Sequence, residues 1–368
     1  MRLPAYQDLS KEQEAINNLP LNGSYLVTGP PGTGKTVIAL YRAQMIEKRG
    51  RLAQILMFNG LLVRYTTAAL DDLEVDAEAK TYLSWLYKTF SRRYRVQVVD
   101  ISDFHPDWDF VMAKVKSLGE LAVVESDLIV DEGQDLPPGF YEAARLMAKN
   151  ITVFADENQT IHEESSTFRQ IRQVLDVGLG VIRLSKNHRN TLQVAQVADC
   201  YYTEASVGAA EFPDRVGPKP QVRKTESLEQ AVELIRIYEA NNDGQEIGVF
   251  VADDDLRRAL AGALEGTTKN EVHTYFGNQV SDDMSMGTPG VRVMCSESAK
   301  GLEFDAVFVL EAQSFAQRLR DETTLKRRFY VMTSRARDNL YMLWSGMTEP
   351  AILSIVPDEL VDRRRASQ

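Results

Sequence analysis

Short apolar runs alternate along this chain with stretches in which apolar positions recur every third or fourth residue. The runs at 25–28, 54–58, 128–130, 152–155, 181–184, 248–251, 291–295, 306–310 and 341–343 predict strands. The periodic stretches at 11–18, 35–48, 138–149, 191–203, 228–241, 254–264 and 325–335 predict helices. Strands that are apolar throughout rather than alternating belong to sheets covered on both faces. Strand-helix alternation therefore predicts an α/β fold of parallel sheets. Gly178-Leu179-Gly180 reads as a hinge, and the Gly/Pro/Asp-rich segments 208–221 and 277–290 read as loops. There is no internal repeat and no low-complexity segment.

At 368 residues the chain suits two medium domains, and 44% hydrophobic with 26% charged residues is ordinary for a globular protein. No apolar run approaches the ~20 residues needed to span a bilayer, and the first residues lack an apolar signal core. Cys200 and Cys295 stand 95 positions apart, with no metal-ligand spacing, and read as reduced thiols of a cytoplasmic protein. The four histidines are scattered. A net charge of −11 disfavours general coating of nucleic acid but not a local basic groove. Local clusters occur at Arg92-Arg93-Tyr94-Arg95 and Lys326-Arg327-Arg328; Arg363-Arg364-Arg365 reads as a frayed, solvated tail.

The sharpest chemical signal is Gly29-Pro30-Pro31-Gly32-Thr33-Gly34-Lys35-Thr36, a complete phosphate loop between a predicted strand and a predicted helix. Its glycines let backbone N–H groups wrap a polyphosphate, and the helix N-terminus adds its dipole. Lys35 is placed to reach the β/γ-phosphates and the Thr36 hydroxyl to bind Mg²⁺. A second signal is the apolar strand that ends in Asp131-Glu132-Gly133-Gln134-Asp135. Acidic turns at strand ends are common, but about a hundred residues after a phosphate loop this one suggests Asp131 in the metal shell and Glu132 as general base. A third strand ends in Asp156-Glu157-Asn158-Gln159, where Gln159 could sense the γ-phosphate or the attacking water.

The order of these and later segments resembles the UvrD/Rep-type superfamily 1 helicases over nearly the whole chain. Leu9-Ser10-Lys11-Glu12-Gln13 is similar to the family's adenine-reading segment, with Gln13 as reader. Met57-Phe58-Asn59 and Thr81-Tyr82-Leu83-Ser84-Trp85 resemble its nucleic-acid-contacting segments, which implies contacts by Phe58, Asn59, Thr81 and Trp85. Asp131 to Asp135 matches the Asp-Glu-x-x-Asp box, and Asp156 to Gln159 the coupling motif. Leu184 to Asn190, Ser298 to Asp305 and Tyr330 to Arg337 resemble the motifs of the second domain. The resemblance implies two RecA-like domains of P-loop NTPase type, at residues 1–180 and 181–368, with ATP and Mg²⁺ in the cleft between them. A short helical insertion would occupy about 60–125. Arg189 and Arg335 would reach the γ-phosphate from the second domain, His188 would meet the adenine, and Gly301 and Glu303 would touch the nucleotide.

The chain also departs from the family pattern. His188 stands where members carry a stacking Tyr and offers less surface. Glu163 and Glu164 follow the coupling motif where members carry base-stacking aromatics, and repel a polyanion. Large accessory insertions do not fit. The expectation is a minimal motor, translocating on single strands, DNA favoured, 3′-to-5′ by family resemblance, with weak or partner-dependent unwinding. A second reading is a nucleotide-controlled switch that binds a protein such as a nuclease, as one subunit of a repair or phage-defence system. A small-molecule kinase is a third, opposed by Arg189, Arg335 and Gly301-Leu302-Glu303. ATP turnover stimulated by single strands distinguishes the first from the second.

Overall fold

The computed structural model describes residues 3–156, 166–177, 181–203, 210–275, 288–299 and 301–364. It divides into two compact units, Met1–Ser185 and Lys186–Gln368. Gln159, Glu163, Glu164, Lys300 and the hinge at 178–180 lie outside the described residues.

The first unit holds strands β1 (Ser24–Thr28), β2 (Ala53–Met57), β3 (Glu78–Thr81), β4 (Asp100–Ser102), β5 (His105–Pro106), β6 (Asp127–Val130), β7 (Ile151–Ala155) and β8 (Val181–Arg183). Its helices are α1 (Lys11–Asn17), α2 (Lys35–Lys48), α3 (Gly60–Asp72), α4 (Tyr82–Lys88), α5 (Trp108–Leu118), α6 (Pro138–Met147) and α7 (Phe168–Val174). The main sheet runs β3-β2-β6-β7-β1-β8, with every pairing parallel. β6 and β7 are buried at every position, as an apolar run covered on both faces requires. Side chains end the irregular backbone at several helix starts: Ser10 forms a capping box with Gln13, and Asn59, Thr81 and Asp107 accept from backbone N–H groups of the helices they cap.

The second unit holds α8 (Leu192–Asp199), β9 (Gln221–Lys224), α9 (Leu228–Asn241), β10 (Glu246–Val251), α10 (Asp254–Leu264), β11 (Val272–Tyr275), β12 (Gly290–Cys295), β13 (Phe304–Val309), α11 (Ala312–Arg318), α12 (Glu322–Thr333), β14 (Ala336–Trp344), α13 (Ala351–Ser354) and β15 (Asp362–Arg364). Its sheet runs β11-β12-β10-β13-β14-β9-β15, again with parallel pairings. A core of Ile235, Val249, Leu260, Val293, Phe308 and Leu343 lies around it. Both units are thus α/β and built on parallel sheets.

Three expectations change. β8, expected to open the second domain, pairs with β1 instead, and Leu184 N–H donates to the Thr28 carbonyl at 2.8 Å. The first unit therefore extends to Ser185. The segment at 60–125 is not a purely helical insertion: α3 leads into β3, which pairs with β2 as the sheet's edge, and β4 and β5 form a separate hairpin. Arg363 and Arg364 are not a frayed tail, because β15 pairs with β9 and Arg363 is ion-paired with Glu349 and Asp358.

Candidate nucleotide site and arginine segments

β1 delivers the chain into the phosphate loop, and α2 carries it away. Gly34 caps α2 at φ +85° and has no side chain to occupy the N–H groups of the first turn. The loop is crowded. A Cβ on Gly29 would lie 2.8 Å from Thr33 Oγ1 and 2.9 Å from Leu184, and one on Gly34 would lie 2.4 Å from Gln13 Nε2. Gly32 also has positive φ, at +81°. Pro31 to Thr33 turn, and the buried Thr33 hydroxyl closes that turn by donating to the Pro30 carbonyl at 2.9 Å. Gln13 braces the loop from outside: its Oε1 accepts from Ser10 N–H at 2.9 Å, and its Nε2 donates to the Thr33 carbonyl at 3.0 Å. Glu12, next to it on α1, accepts from Ser185 N–H at 3.0 Å and Ser185 Oγ at 2.7 Å.

The strand order brings the sequence signals together. β7 lies between β1 and β6, so three strand ends converge at the carboxyl edge of one sheet. Thr36 Oγ1 donates to Asp131 Oδ2 at 2.7 Å. Lys35 Nζ donates to the carbonyls of Gly29 at 2.6 Å and Pro30 at 3.1 Å, and lies 3.5 Å from Asp156 Oδ2. Gln134 bridges the remaining gap: its Nε2 donates to Glu132 Oε2 at 2.7 Å, and its Oε1 accepts from Asp156 N–H at 2.8 Å. Lys35, Asp131, Glu132, Gln134 and Asp156 are all buried. Glu132 takes the left-handed conformation, at φ +50° and ψ 44°, which aims its side chain back along this edge. Gly133 follows it because a Cβ there would lie 2.5 Å from Val153 and 2.7 Å from the Tyr141 hydroxyl.

Electrostatics favour a cation at this edge. Burial and then the neighbouring Glu132 push the Asp131 carboxyl well up from the ordinary carboxylate range, while the Thr36 hydroxyl and Lys35 pull it down. A hydroxyl and a carboxylate, both hard oxygen donors within hydrogen-bond reach, fit Mg²⁺. That ion keeps waters and nucleotide phosphates as its other ligands. Among the described residues no group of three or more His, Cys, Asp or Glu could hold a metal ion.

In the second unit, two segments carry the expected arginines. Arg189 Nε donates to Glu303 Oε2 at 3.0 Å, and Arg337 Nη1 lies 3.9 Å from Glu303 Oε1. Arg335 is buried, with Nε on the Val331 carbonyl at 3.1 Å and Nη1 on the Leu302 carbonyl at 3.4 Å. Asn190 ties the segments together by donating to the Ser334 carbonyl at 3.1 Å and to that of Ala336. Asn187 Oδ1 accepts from the Arg189 and Asn190 N–H groups at 2.9 and 3.1 Å. His188 is exposed, and Gly301 has φ +72°.

The four residues expected to touch nucleic acid do not form an open face. Trp85 is only 2% exposed and packs edge-on against Phe140 at 6.0 Å, so it is a core residue; that expectation is corrected. Phe58 is half-buried and stacks on Tyr82 at 6.1 Å. Asn59 and Thr81 spend their side-chain oxygens as caps of α3 and α4. Sequence reasoning missed Gln134 and the Asp156–Lys35 pair, although both lie at strand ends on the edge that the phosphate loop defines. It also missed Asn187 and Asn190 as clamps.

A family model described as an AAA domain matches residues 12–165, and one described as a UvrD-like helicase C-terminal domain matches residues 290–343, together more than half of the chain. One similar solved structure is the C-terminal domain of a possible DNA helicase from Lactobacillus plantarum WCFS1: 24% identity, 48% of this chain and 97% of that chain covered, TM-score 0.37. Arterivirus nonstructural protein 10 (helicase) is 12% identical over 94% of this chain and 64% of its own, TM-score 0.45. Its complex with DNA is 13% identical over 90% and 62%, TM-score 0.43. The chain thus spans a little under two thirds of those two helicase chains. No curated protein matches it.

Proposed function

We propose that this chain, which belongs to the UvrD/Rep-type superfamily 1 helicases, hydrolyses ATP with Mg²⁺ to drive movement along single-stranded DNA. It is a helicase-type nucleotide-using motor. The observation that carries the finer reading is the 2.7 Å contact between the Thr36 hydroxyl and the Asp131 carboxylate, made beside Lys35 on one sheet edge.

Each role follows from chemistry. Thr36 and Asp131 would hold Mg²⁺, which when bound neutralises charge on the phosphates. Lys35 exchanges its carbonyl partners for phosphate oxygens. Glu132, buried and oriented by Gln134, takes a proton from the attacking water. The loop N–H groups and α2 hold the phosphates in line. Arg189 and Arg335 supply positive charge from the second unit as the transition state develops. Gln159 senses the γ-phosphate or the attacking water, His188 meets the adenine, and Gly301 and Glu303 touch the nucleotide.

A second reading has specific support. The burial of Trp85 removes a nucleic-acid contact expected on the first unit, which favours an ATPase governed by a protein partner over a strong unaided unwinder. Steady-state ATP turnover with and without single-stranded DNA and RNA, with Glu132→Gln as blank, separates the two. Stimulation by DNA is expected. Turnover that depends on Glu132 but ignores both polymers would move the assignment to the partner-controlled switch, and Glu132-independent turnover would remove both.

A further inference from the structure

Arg215 belongs to no motif and to no helix or strand, yet it meets both arginine-bearing segments. Its Nη2 donates to the Arg189 carbonyl at 2.6 Å and to the Arg337 carbonyl at 2.9 Å, and its Nη1 pairs with the Asp338 carboxylate. The surrounding loop is itself fastened to the Arg189 side. Leu192 N–H donates to the Arg215 carbonyl at 2.7 Å, and Gly217 N–H to Gln193 Oε1 at 2.7 Å. Gly217 is needed for that closeness, since a Cβ there would lie 2.4 Å from Thr191 Cγ2. The two segments also meet directly, where Thr191 N–H donates to the Arg337 carbonyl at 2.9 Å.

We propose that Arg215 is a positioning residue that holds the Arg189 segment and the Arg335–Arg337 segment in one register, so that both guanidinium groups present to the nucleotide as a unit. This rests on the ATPase reading above and deepens it. The main chain decides where a side chain can reach, and Arg215 grips the main chain of Arg189 and the residues just after Arg335. A planar guanidinium can serve two carbonyls and a carboxylate at once, which a lysine ammonium does not reproduce. Asn190 clamps the same segments from a buried position, whereas the Arg215 side chain is 44% exposed. Removing Arg215 therefore tests register with little disturbance of the core.

The experiment compares unmodified protein, Arg215→Ala, Arg215→Lys, Arg189→Ala and the Arg189→Ala/Arg215→Ala double variant, in steady-state ATP turnover with single-stranded DNA and in amide hydrogen exchange at Thr191. Arg215→Ala should lower kcat about tenfold or more while KM for ATP moves less than about twofold, the pattern of an interaction felt in the transition state. Arg215→Lys should stay low. The double variant should lose less than the product of the two single losses, because part of what Arg215 does runs through Arg189 and the rest through the Arg335 segment. Thr191 N–H should exchange roughly tenfold faster in Arg215→Ala. Unchanged exchange at Thr191, unchanged kcat, or losses that multiply in the double variant would each overturn the proposal. Absence of turnover in unmodified protein would instead sink the ATPase reading, while exchange at Thr191 would still decide whether the clamp exists.

Discussion

Single residues in the phosphate loop are constrained from two sides, by backbone shape and by the close approach of Gln13. Gly34→Ala would put a Cβ 2.4 Å from Gln13 Nε2 on a backbone at φ +85°. Such a change should cost about 1–3 kcal/mol of stability and weaken nucleotide binding together, read by urea unfolding and titration with a fluorescent ATP analogue. Unchanged affinity would mean that the Gln13 brace does not shape the site. Lys35→Ala should abolish hydrolysis and weaken binding, because Lys35 is the buried cation of the phosphate loop, held on the Gly29 carbonyl. Glu132→Gln differs in kind. The amide keeps the shape and still accepts from Gln134 but cannot take a proton, so Mg²⁺-ATP binding should persist while turnover falls about 10²–10⁴-fold. Loss of binding in that variant would make Glu132 structural.

At the level of elements, the central strands could be read directly because they are apolar at successive positions, and the structure contains them all. The strands β3 and β15 at sheet edges, and β9 beside β15, could not. Their sequences Glu-Ala-Lys-Thr, Gln-Val-Arg-Lys and Asp-Arg-Arg are polar, as suits positions near or at a sheet edge, and they exist because a neighbour's backbone groups need partners. Helix α4 shows the converse difficulty. Its Trp85 sits in a segment that resembles a nucleic-acid contact, but its ring packs edge-on against Phe140 and belongs to the first unit's core with Leu86 and Phe90. Trp85→Ala should therefore cost about 3–5 kcal/mol in unfolding free energy and leave the affinity of the folded protein for single-stranded DNA unchanged. A large affinity loss with little change in stability would reinstate it as a contact residue.

At the scale of the whole molecule, the proposed reaction divides its chemistry between two units, each with its own sheet: phosphate loop, proposed metal-shell pair and proposed base in one, arginine segments in the other. A protein ending at Ser185 should bind Mg²⁺-ATP within about tenfold of the full chain but turn it over about 10³-fold or more slowly, since arginines of this kind contribute on that scale. Full turnover by the first unit alone would dismiss Arg189 and Arg335 from the reaction. What the sequence alone determined was local: the phosphate loop, the acidic strand end, the parallel α/β character and the family, because each is written in adjacent residues or in the period of apolar positions. Only the tertiary structure decided which distant groups meet. Asp156 came to Lys35 because β7 lies between β1 and β6; Gln134 came to link Glu132 with Asp156; Arg215 came to span two arginine segments more than a hundred residues apart. Those contacts depend on strand order and loop path, which no run of neighbouring residues records.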